Sequence, residues 1–431
     1  MTRALGLDFG TTNSVAAMAD GAASGLVDFA GRHATGAVFR SALCFWHEDG
    51  ARGGIAHEAG PWAIAEYLEY PQDSRFIQSF KSVAASPIFE AASIFDKRYR
   101  FEELGRMFLA RMIAHAGGAL DDRPERIVVG RPVEYAGSRP DEALARKRYD
   151  AMFSQFGAAV HYVYEPLGAA FSYASRLTDP ATILVADFGG GTSDFSIVRV
   201  EAPGSDGRTR RRCTPLGSAG IGIAGDRFDY RIVDHLVLPM LGKGGSYRSF
   251  DKLLEIPRSY FADFAEWSRL ALMRNRRTLE ELARLMKAAS DPAAIGRMIT
   301  IIEKELGYPL YDAVGTLKRA LSQADTAHFH FEGGGLTIEA DVARADFERW
   351  IAPDIARIEA TVDRALGRAG VRADAIDRVF LTGGSSLIPA IRALFAARFG
   401  SGRIATGGEL TSIAHGLALI GQEANLAEWA A

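Results

Sequence analysis

The stretch LGLDFGTTNSVAAM, residues 5–18, decides the fold together with LVADFGGGTSDFSIV, residues 184–198. Each stretch has an apolar segment, then Asp, Phe and Gly, then Thr, then a second apolar segment. Apolar runs joined by a glycine-rich turn are typical of a β-hairpin. Because the second stretch repeats the first about 180 residues later, the sequence indicates a duplicated domain.

The segments around the two hairpins alternate between strands and helices. Periodicity predicts helices at 141–156, 167–177 and 345–366, and strands at 4–9, 14–18, 127–133, 162–166, 181–186, 194–200 and 378–384. This alternation predicts an α/β fold with sheets covered by helices. Residues 229–321 are rich in Arg, Leu, Ala and Met and predict a helical insertion. The basic run at 207–212 predicts a solvated loop between two strands.

The bulk composition limits the classes of function. With 431 residues, 48% of them hydrophobic, the chain is expected to form several subdomains. A net charge of -3 gives no reason to expect binding to nucleic acid or to a membrane surface. Cys44 and Cys213 match neither a disulfide framework nor a zinc site. The sequence shows neither a signal peptide nor a membrane-spanning run, so we expect a cytoplasmic protein.

The turn from Asp8 to Asn13 has the composition that a phosphate-binding site needs. Gly10 allows backbone amides to approach a polyphosphate, and the hydroxyls of Thr11 and Thr12 can donate hydrogen bonds to its oxygens. Asp8, at the strand end, can face the water shell of a magnesium ion. A single turn of this composition is equally typical of an ordinary hairpin. The second copy shifts the interpretation towards phosphate binding.

The second turn runs from Asp187 through Gly189, Gly190 and Gly191 to Thr192 and offers more exposed amides. Asp194 follows as a third carboxylate. Magnesium keeps most of its waters and binds few protein carboxylates. Asp8, Asp187 and Asp194 are therefore the predicted metal-side residues, while a solvent-facing strand position remains the alternative for Asp194.

Three further segments of the sequence could contribute to the same site. Glu165 ends a strand and starts a helix, where it either caps the helix or lies near the metal waters as a general base or water-positioning group. Lys81 is, from its residue type alone, a solvated surface charge. Gly383, Gly384 and Ser385 join a strand to a helix beginning near Pro389, an arrangement that places backbone amides at a helix N-terminus and suits a nucleotide.

Four motifs now carry a family resemblance: LDFGTTNSVAA (7–17), YEPLGAAFSY (164–173), DFGGGTSDFSI (187–197) and FLTGGSSLIP (380–389). In this order they resemble the two phosphate loops, the connecting motif and the adenosine loop of the heat-shock protein 70 (DnaK-type) chaperones. The resemblance implies a duplicated actin-like ATPase (ribonuclease H-like) fold, with a mixed sheet covered by helices in each lobe and inserted subdomains. The implied division is lobe I at 1–186 (insert about 40–115), lobe II at 187–385 (helical-rich insert about 228–340), and C-terminal helices at 386–431 closing on lobe I.

The resemblance also implies individual roles, with ATP or ADP and Mg²⁺ as cofactors. The catalytic residues would be Lys81, which orients the attacking water, with Glu165, Asp194 and Thr192. Metal-side residues would be Asp8, Asp187 and Asp194. The implied nucleotide-binding residues are Gly10, Thr11, Thr12, Asn13, Gly189, Gly190, Gly191, Gly225, Asp226, Lys318, Arg319, Ser322, Gly383, Gly384 and Ser385.

The sequence departs from the family pattern at the adenosine clamp and at the C-terminus. TLKRALS (316–322) is similar to the clamp helix, but Gly315 replaces a glutamate, Leu387 an arginine and Leu410 an aspartate. The apolar linker and the peptide-binding domain are not found, which makes the chain most similar to the short YegD-like relatives. We expect a weak Mg-dependent ATPase that serves as a chaperone-related nucleotide switch, a monomer with an unknown protein client or co-chaperone.

Two other classes share this fold. An actin-like filament or scaffold protein would use ATP for assembly, which light scattering or sedimentation would reveal. A small-molecule kinase would need a separate general base aimed at its substrate, and the sequence shows no acidic motif beyond those already assigned.

The incomplete clamp predicts weak nucleotide binding. Losing two or three hydrogen bonds of about 0.5–1.5 kcal/mol each should weaken ATP binding roughly ten- to several-hundred-fold relative to DnaK-type chaperones. Isothermal titration of both proteins under one condition measures the difference. A dissociation constant as tight as that of a DnaK-type protein would contradict the prediction.

Overall fold

The structure is a computed structural model that describes residues 2–21, 23–29, 36–121, 123–137, 139–201, 213–265, 270, 273–408 and 410–430. The loop predicted at 207–212 lies outside the described residues. The chain divides into two compact units. One comprises Met1–Gly225 and Ala356–Ala431, and the other comprises Asp226–Ile355.

The strands and helices alternate along much of the chain. The strands are β1 (Ala4–Phe9), β2 (Asn13–Asp20), β3 (Ala23–Leu26), β4 (Val38–Arg40), β5 (Ala42–His47), β6 (Ile55–Ala59), β7 (Ser74–Gln78), β8 (Ala92–Ile94), β9 (Lys97–Tyr99), β10 (Arg126–Arg131), β11 (Ala159–Tyr164), β12 (Ala181–Phe188), β13 (Ser193–Val200), β14 (Cys213–Ile221), β15 (Ser246–Ser249), β16 (Lys252–Glu255), β17 (Thr326–Gly333), β18 (Leu336–Ala343), β19 (Arg378–Thr382) and β20 (Ile404–Thr406). The helices are α1 (Gly60–Glu69), α2 (Phe101–Ala114), α3 (Glu142–Phe153), α4 (Glu165–Ala174), α5 (Gly225–Ile232), α6 (Leu238–Met240), α7 (Arg258–Ala265), α8 (Arg276–Ala288), α9 (Pro292–Glu303), α10 (Gly307–Leu321), α11 (Arg344–Ala369), α12 (Pro389–Phe399) and α13 (Ser412–Ile420).

Two large sheets of the first unit have the same strand order. The first sheet runs β11-β10-β1-β2-β3, with β4 also paired to β2, and the second runs β20-β19-β12-β13-β14. In each, the first strand of the hairpin pairs antiparallel with the second strand and parallel with a later strand on its other side. The predicted duplication is therefore confirmed at the level of topology.

Aromatic packing anchors the strand that carries the first glycine turn. The ring of Phe9, at the end of β1, lies 5.5 Å from that of Phe80 and 5.7 Å from that of Phe108. All three side chains are buried. Phe80 begins a short 3-10 helix, Phe80–Val83, so this packing holds the neighbouring Lys81 beside the end of β1.

Helices α4 and α13 pack directly on one another; α13 also contacts the first large sheet, and α4 contacts both large sheets. A Cβ atom added at Gly416 would lie 1.7 Å from the carbonyl oxygen of Gly168, and one at Gly6 would lie 2.2 Å from the amide nitrogen of Ala418. No other residue type fits such approaches without displacing backbone. These glycines therefore set the distance between the helices and the first sheet.

The second unit is mainly helical and also contains two hairpins. The predicted helical insertion at 229–321 is correct for α7 to α10, but that prediction missed the hairpin β15-β16. Each strand has four residues, and every residue of β16 is exposed. Without a buried face there is no alternating apolar pattern for sequence reasoning to detect.

The other predicted elements are present with small shifts of their ends. The helix predicted at 345–366 spans Arg344–Ala369 and continues through Pro353, and the helix predicted at 167–177 spans Glu165–Ala174. Among the described residues, no helix combines the length and the apolar composition needed to cross a bilayer.

The contact between α4 and α13 predicts that one methyl group added at Gly416 will strongly lower stability. Gly416→Ala should lower the free energy of unfolding by about 1–3 kcal/mol or more, because the added carbon overlaps the Gly168 carbonyl. Urea denaturation measures the change. Gly367→Ala in α11 is the matched control: no atom lies within 4 Å of its added Cβ, so the helix should gain roughly 0.5–1 kcal/mol. Equal effects of the two substitutions would contradict the packing argument.

Candidate functional site

The two duplicated glycine turns lie next to each other in the first unit. A Cβ added at Gly191 would lie 3.1 Å from Oγ1 of Thr11. The second turn is closed by the amide of Gly189, which donates to the carbonyl oxygen of Thr192 at 3.0 Å. In the first turn, a Cβ at Gly10 would lie 2.1 Å from the carbonyl oxygen of Asn13. The structure thus brings the two glycine turns together, and the close contacts leave no room for a side chain at Gly10.

The first turn is held by residues that sequence reasoning missed. The hydroxyl of Ser41 donates to the carbonyl oxygen of Gly10 at 2.7 Å, and its amide donates to that of Thr12 at 2.9 Å. Arg40 donates to the side-chain oxygen of Asn13 at 3.1 Å. The amides and hydroxyls of the turn can face a ligand because its carbonyl oxygens are satisfied from behind. No motif in the sequence signals this support, which comes from the pairing of β4 with β2.

The third glycine segment packs against the second turn. Gly383 has a φ of 80°, and a Cβ there would lie 2.2 Å from the carbonyl oxygen of Phe188. The hydroxyl of Ser385 lies 3.5 Å from the carbonyl oxygen of Gly189, which also accepts the amide of Gly225 at 3.2 Å. Gly384 begins the 3-10 turn Gly384–Leu387, and α12 follows at Pro389. Gly225, Gly383, Gly384 and Ser385 are therefore grouped around the second turn.

Lys81 and Glu165 form a buried ion pair. Nζ of Lys81 lies 2.5 Å from Oε1 of Glu165, and the side chains are only 7% and 6% exposed. Burial lowers the pKa of Lys81, but the carboxylates of Glu165 and Asp8 outweigh this effect and the pKa is raised. The ammonium group therefore stays protonated. Interpreting Lys81 from its residue type alone as a surface charge is wrong.

Three carboxyl groups surround this pair. Asp187 and Asp194 face each other across β12 and β13 and are almost fully buried. Burial, with the charge of Glu165 nearby, raises the pKa of Asp8 to about 7 and that of Asp194 to about 7. Burial and the charges of Glu165, Asp8 and Asp194 raise the pKa of Asp187 well above its usual range. The solvent-facing alternative for Asp194 is wrong, since its side chain is fully buried.

The charge of the cluster fits a divalent cation. When ionised, Asp8, Glu165, Asp187 and Asp194 carry four negative charges, and the ammonium of Lys81 supplies one positive charge among them. Such an excess of buried like charge is costly unless a cation or protons neutralise it. An all-oxygen donor set of this kind suits Mg²⁺.

The loop after β10 also contacts this cluster. Oδ1 of Asp194 accepts the backbone amides of Val133 at 2.7 Å and Glu134 at 3.4 Å. These bonds fix the orientation of the carboxyl group from the opposite half of the duplicated fold. Sequence reasoning missed both residues because they contribute only backbone atoms.

The remaining predicted residues lie in the second unit. Asp226 is on α5. Lys318 and Arg319 are on α10, and Ser322 follows its end. Nζ of Lys318 lies 2.8 Å from a carboxylate oxygen of Asp229, and the hydroxyl of Ser322 donates to the carbonyl oxygen of Lys318 at 3.0 Å. Their contact with an adenosine stays a prediction.

None of the three positions that depart from the family pattern is buried. A Cβ at Gly315 would make only an ordinary contact, 3.5 Å from a guanidinium nitrogen of Arg319. Leu387 and Leu410 are 45% and 43% exposed.

Comparison with known proteins is consistent with the four sequence motifs. The sequence profile described as Hsp70 protein matches residues 79–246 and 303–422, about two thirds of the chain. Over 409 residues the chain is 26% identical to the chaperone protein DnaK of Trichormus variabilis, covering 91% of this chain and 50% of that protein. It is 24% identical over 403 residues to the chaperone protein DnaK of Thermus thermophilus, covering 91% of this chain and 56% of that protein.

The chain spans about half the length of the curated relatives it matches. The α/β architecture with mixed sheets is the one expected for the actin-like ATPase fold of this group, so the predicted fold class is confirmed.

The crowding of buried carboxyl groups predicts that Asp187 destabilises the protein when no metal is bound. A buried acid with a raised pKa contributes stability below the pKa of the unfolded state and loses it as pH rises through the folded-state pKa. At pH 8 without metal, Asp187→Asn should therefore raise the free energy of unfolding by about 1 kcal/mol or more.

Urea denaturation at pH 8 measures this change, and the extra stability that Mg²⁺ and ADP confer on the parent should be lost in the variant. Glu90→Gln, at a side chain that is 82% exposed, is the control and should change stability by less than ~0.5 kcal/mol. A variant less stable than the parent would show that Asp187 serves structure rather than a cation.

Proposed function

Because the chain belongs to the Hsp70 family, we propose that it binds ATP with Mg²⁺ at the paired glycine turns and hydrolyses it to ADP and phosphate. The observation that carries this proposal is the buried pair of Lys81 and Glu165, 2.5 Å apart, beside Asp8, Asp187 and Asp194. A purely structural ion pair has no need of three further carboxyl groups, which reduce stability in the absence of a cation. A hydrolytic phosphate site needs both signs of charge in one place.

The two turns would hold the phosphate chain. Backbone amides of the first turn and of Gly189, Gly190 and Gly191 are hydrogen-bond donors that need no charged side chain. The hydroxyls of Thr11 and Thr192 add donors towards the terminal phosphate. Because the turns are closed by their own backbone contacts, little reorganisation is required when the phosphate binds.

Asp8, Asp187 and Asp194 are the residues that would hold Mg²⁺ through its water shell. When bound, the ion neutralises charge on the phosphate oxygens. The carboxyl groups must lose their protons to take this role, and their raised pKa values indicate how strongly they need a cation for it.

Lys81 would position the water that attacks the terminal phosphorus atom. Its raised pKa keeps it protonated, so it acts as a donor and as a positive charge rather than as a base. Glu165 holds the ammonium group in place. In the reaction, the water oxygen bonds to the terminal phosphorus, the bond to the bridging oxygen of ADP breaks, and the water proton leaves with phosphate or solvent.

The family membership supports a proposal for the biological role, which rests on the proposed hydrolysis. We propose a chaperone-related nucleotide switch that acts as a monomer and exchanges a protein client or co-chaperone between its ATP and ADP states. This proposal also includes the predicted lobe boundaries of the chain and its cytoplasmic location. It includes the predicted contacts of Lys318, Arg319 and Ser322 with adenosine.

Replacing Lys81 tests the proposed function. Lys81→Ala removes the donor to the attacking water, so the turnover number for ATP should fall roughly 100-fold or more, while ATP binding remains largely intact. Phosphate release under single-turnover conditions, with titration of a fluorescent ATP analogue, measures the two effects separately.

Lys147→Ala, at an exposed lysine of α3, is the control and should hydrolyse ATP like the parent. Circular dichroism shows whether Lys81→Ala is folded, since the substitution leaves Glu165 buried without its partner. Unchanged turnover in folded Lys81→Ala would remove Lys81 from the mechanism. Turnover that requires an added hydroxyl or carboxylate acceptor would favour a kinase over an ATPase.

A further inference from the structure

The hairpin β17-β18 in the second unit has one buried face and one exposed face. Phe329, Phe331, Ile338 and Val342 are buried. Because side chains alternate along a strand, the residues between them point outward. A slip of one residue would expose these apolar side chains, so the buried face fixes the pairing register.

Two histidines and two carboxylates occupy the outer face as cross-strand pairs. His328 is opposite Asp341, and His330 is opposite Glu339. Nδ1 of His328 lies 2.8 Å from Oδ1 of Asp341, and Nδ1 of His330 lies 2.8 Å from Oε1 of Glu339. The same Glu339 oxygen is 4.0 Å from Nε2 of His328. One carboxylate oxygen therefore lies between the two imidazole rings.

The three side chains that converge could share one ion. His328, His330 and Glu339 each offer a ligand atom, and these atoms all lie within 4.8 Å of one another. Two ligands of a tetrahedral zinc ion, each at about 2.1 Å, are separated by roughly 3.4 Å. The side chains are about half exposed, so they can rotate to bring their ligand atoms to this separation while the strands stay in place.

The negative charge of the hairpin favours binding of a cation between these side chains. Residues 326–343 contain Glu332, Glu339 and Asp341 but no Lys or Arg. Nε2 of His330 lies 3.8 Å from a carboxylate oxygen of Glu332, so a third acid flanks the same rings. With neutral imidazoles this face carries three negative charges. The basic groups Lys304 and Arg344 contact the ends of the hairpin, at Gly334 and Asp325.

The donor types select the class of metal. Imidazole nitrogens combined with a carboxylate suit Zn²⁺ and the neighbouring divalent transition metals, whereas Mg²⁺ and Ca²⁺ prefer oxygen ligands alone. When Nδ1–H of His328 donates its hydrogen bond to Asp341, the lone pair on Nε2 is available for a metal. Such a carboxylate behind a histidine ligand is typical of zinc sites.

We propose that the outer face of β17-β18 binds a divalent transition-metal ion, represented by Zn²⁺, through His328, His330 and Glu339. Asp341 orients His328, and Glu332 adds negative charge. Three protein ligands leave at least one coordination position to water or to a group from a partner. The site is exposed, so its metal exchanges with the solvent rather than being trapped by folding. It is independent of the proposed ATPase chemistry.

Isothermal titration of the full chain with ZnCl₂ tests the proposal. Excess Mg²⁺ and ADP are included so that the carboxyl groups of the first unit do not compete for Zn²⁺. About one Zn²⁺ per chain should bind at this site. The double variant His328→Ala/His330→Ala should lose that binding, Glu339→Gln should weaken it at least ~10-fold, and Asp341→Asn should weaken it less than Glu339→Gln.

His47→Ala is the matched control, because it removes an exposed histidine from the end of β5. The replaced hairpin side chains are exposed, so thermal unfolding of the double variant should match that of the parent. Binding that survives in the folded double variant, equal loss in His47→Ala, or no binding of Zn²⁺ by the parent at ~100 μM would each overturn the proposal. Loss confined to the hairpin variants would support it.

Discussion

The backbone contact between α4 and α13 is the constraint on which the rest of the first unit depends. Gly416 and Gly168 allow these helices to approach until no side chain fits between them, and Gly6 allows the same between α13 and β1. A core packed to this density has few alternative arrangements. Since Glu165 is the first residue of α4, the packing that unites the core also positions the partner of Lys81. These glycine contacts thus place Glu165 within the candidate site.

The buried carboxyl groups of the candidate site lower the free energy of unfolding. Asp187 and Asp194 are paired across two strands and lie near Asp8 and Glu165, and the positive charge of Lys81 partly offsets their negative charge. The raised pKa values of Asp8, Asp187 and Asp194 reflect the free energy that it costs the fold to bury these carboxyl groups and, to a smaller extent, to place them near one another. A fold that places like charges in a buried position, and holds them there with amides of Val133 and Glu134, has an arrangement that a cation can stabilise.

Sequence reasoning succeeded where local chemistry and pattern agree. The two hairpins combine buried apolar strands with turns that need glycine, so β1, β2, β12 and β13 could be predicted closely from residues alone. It failed where the signal is not local. The hairpin β15-β16 has no buried face, and the first turn depends on Ser41, which reaches it only through strand pairing. Sequence reasoning also missed the proposed metal site on β17-β18, although His328 and His330 are separated by the two-residue period of a strand.

The sequence by itself determined the duplicated α/β architecture and the identity of the groups that could meet a phosphate, because apolar periodicity and turn-forming glycines act over a few residues. Only the tertiary structure decided which of those groups are buried together. Lys81 shows the difference. Its residue type alone predicts a charge on the surface, but Lys81 is buried because the neighbouring Phe80 packs against Phe9 and Phe108. Ionisation and ion pairing depend on distances and on desolvation between residues far apart in the chain. Local sequence does not encode these quantities until the core has assembled.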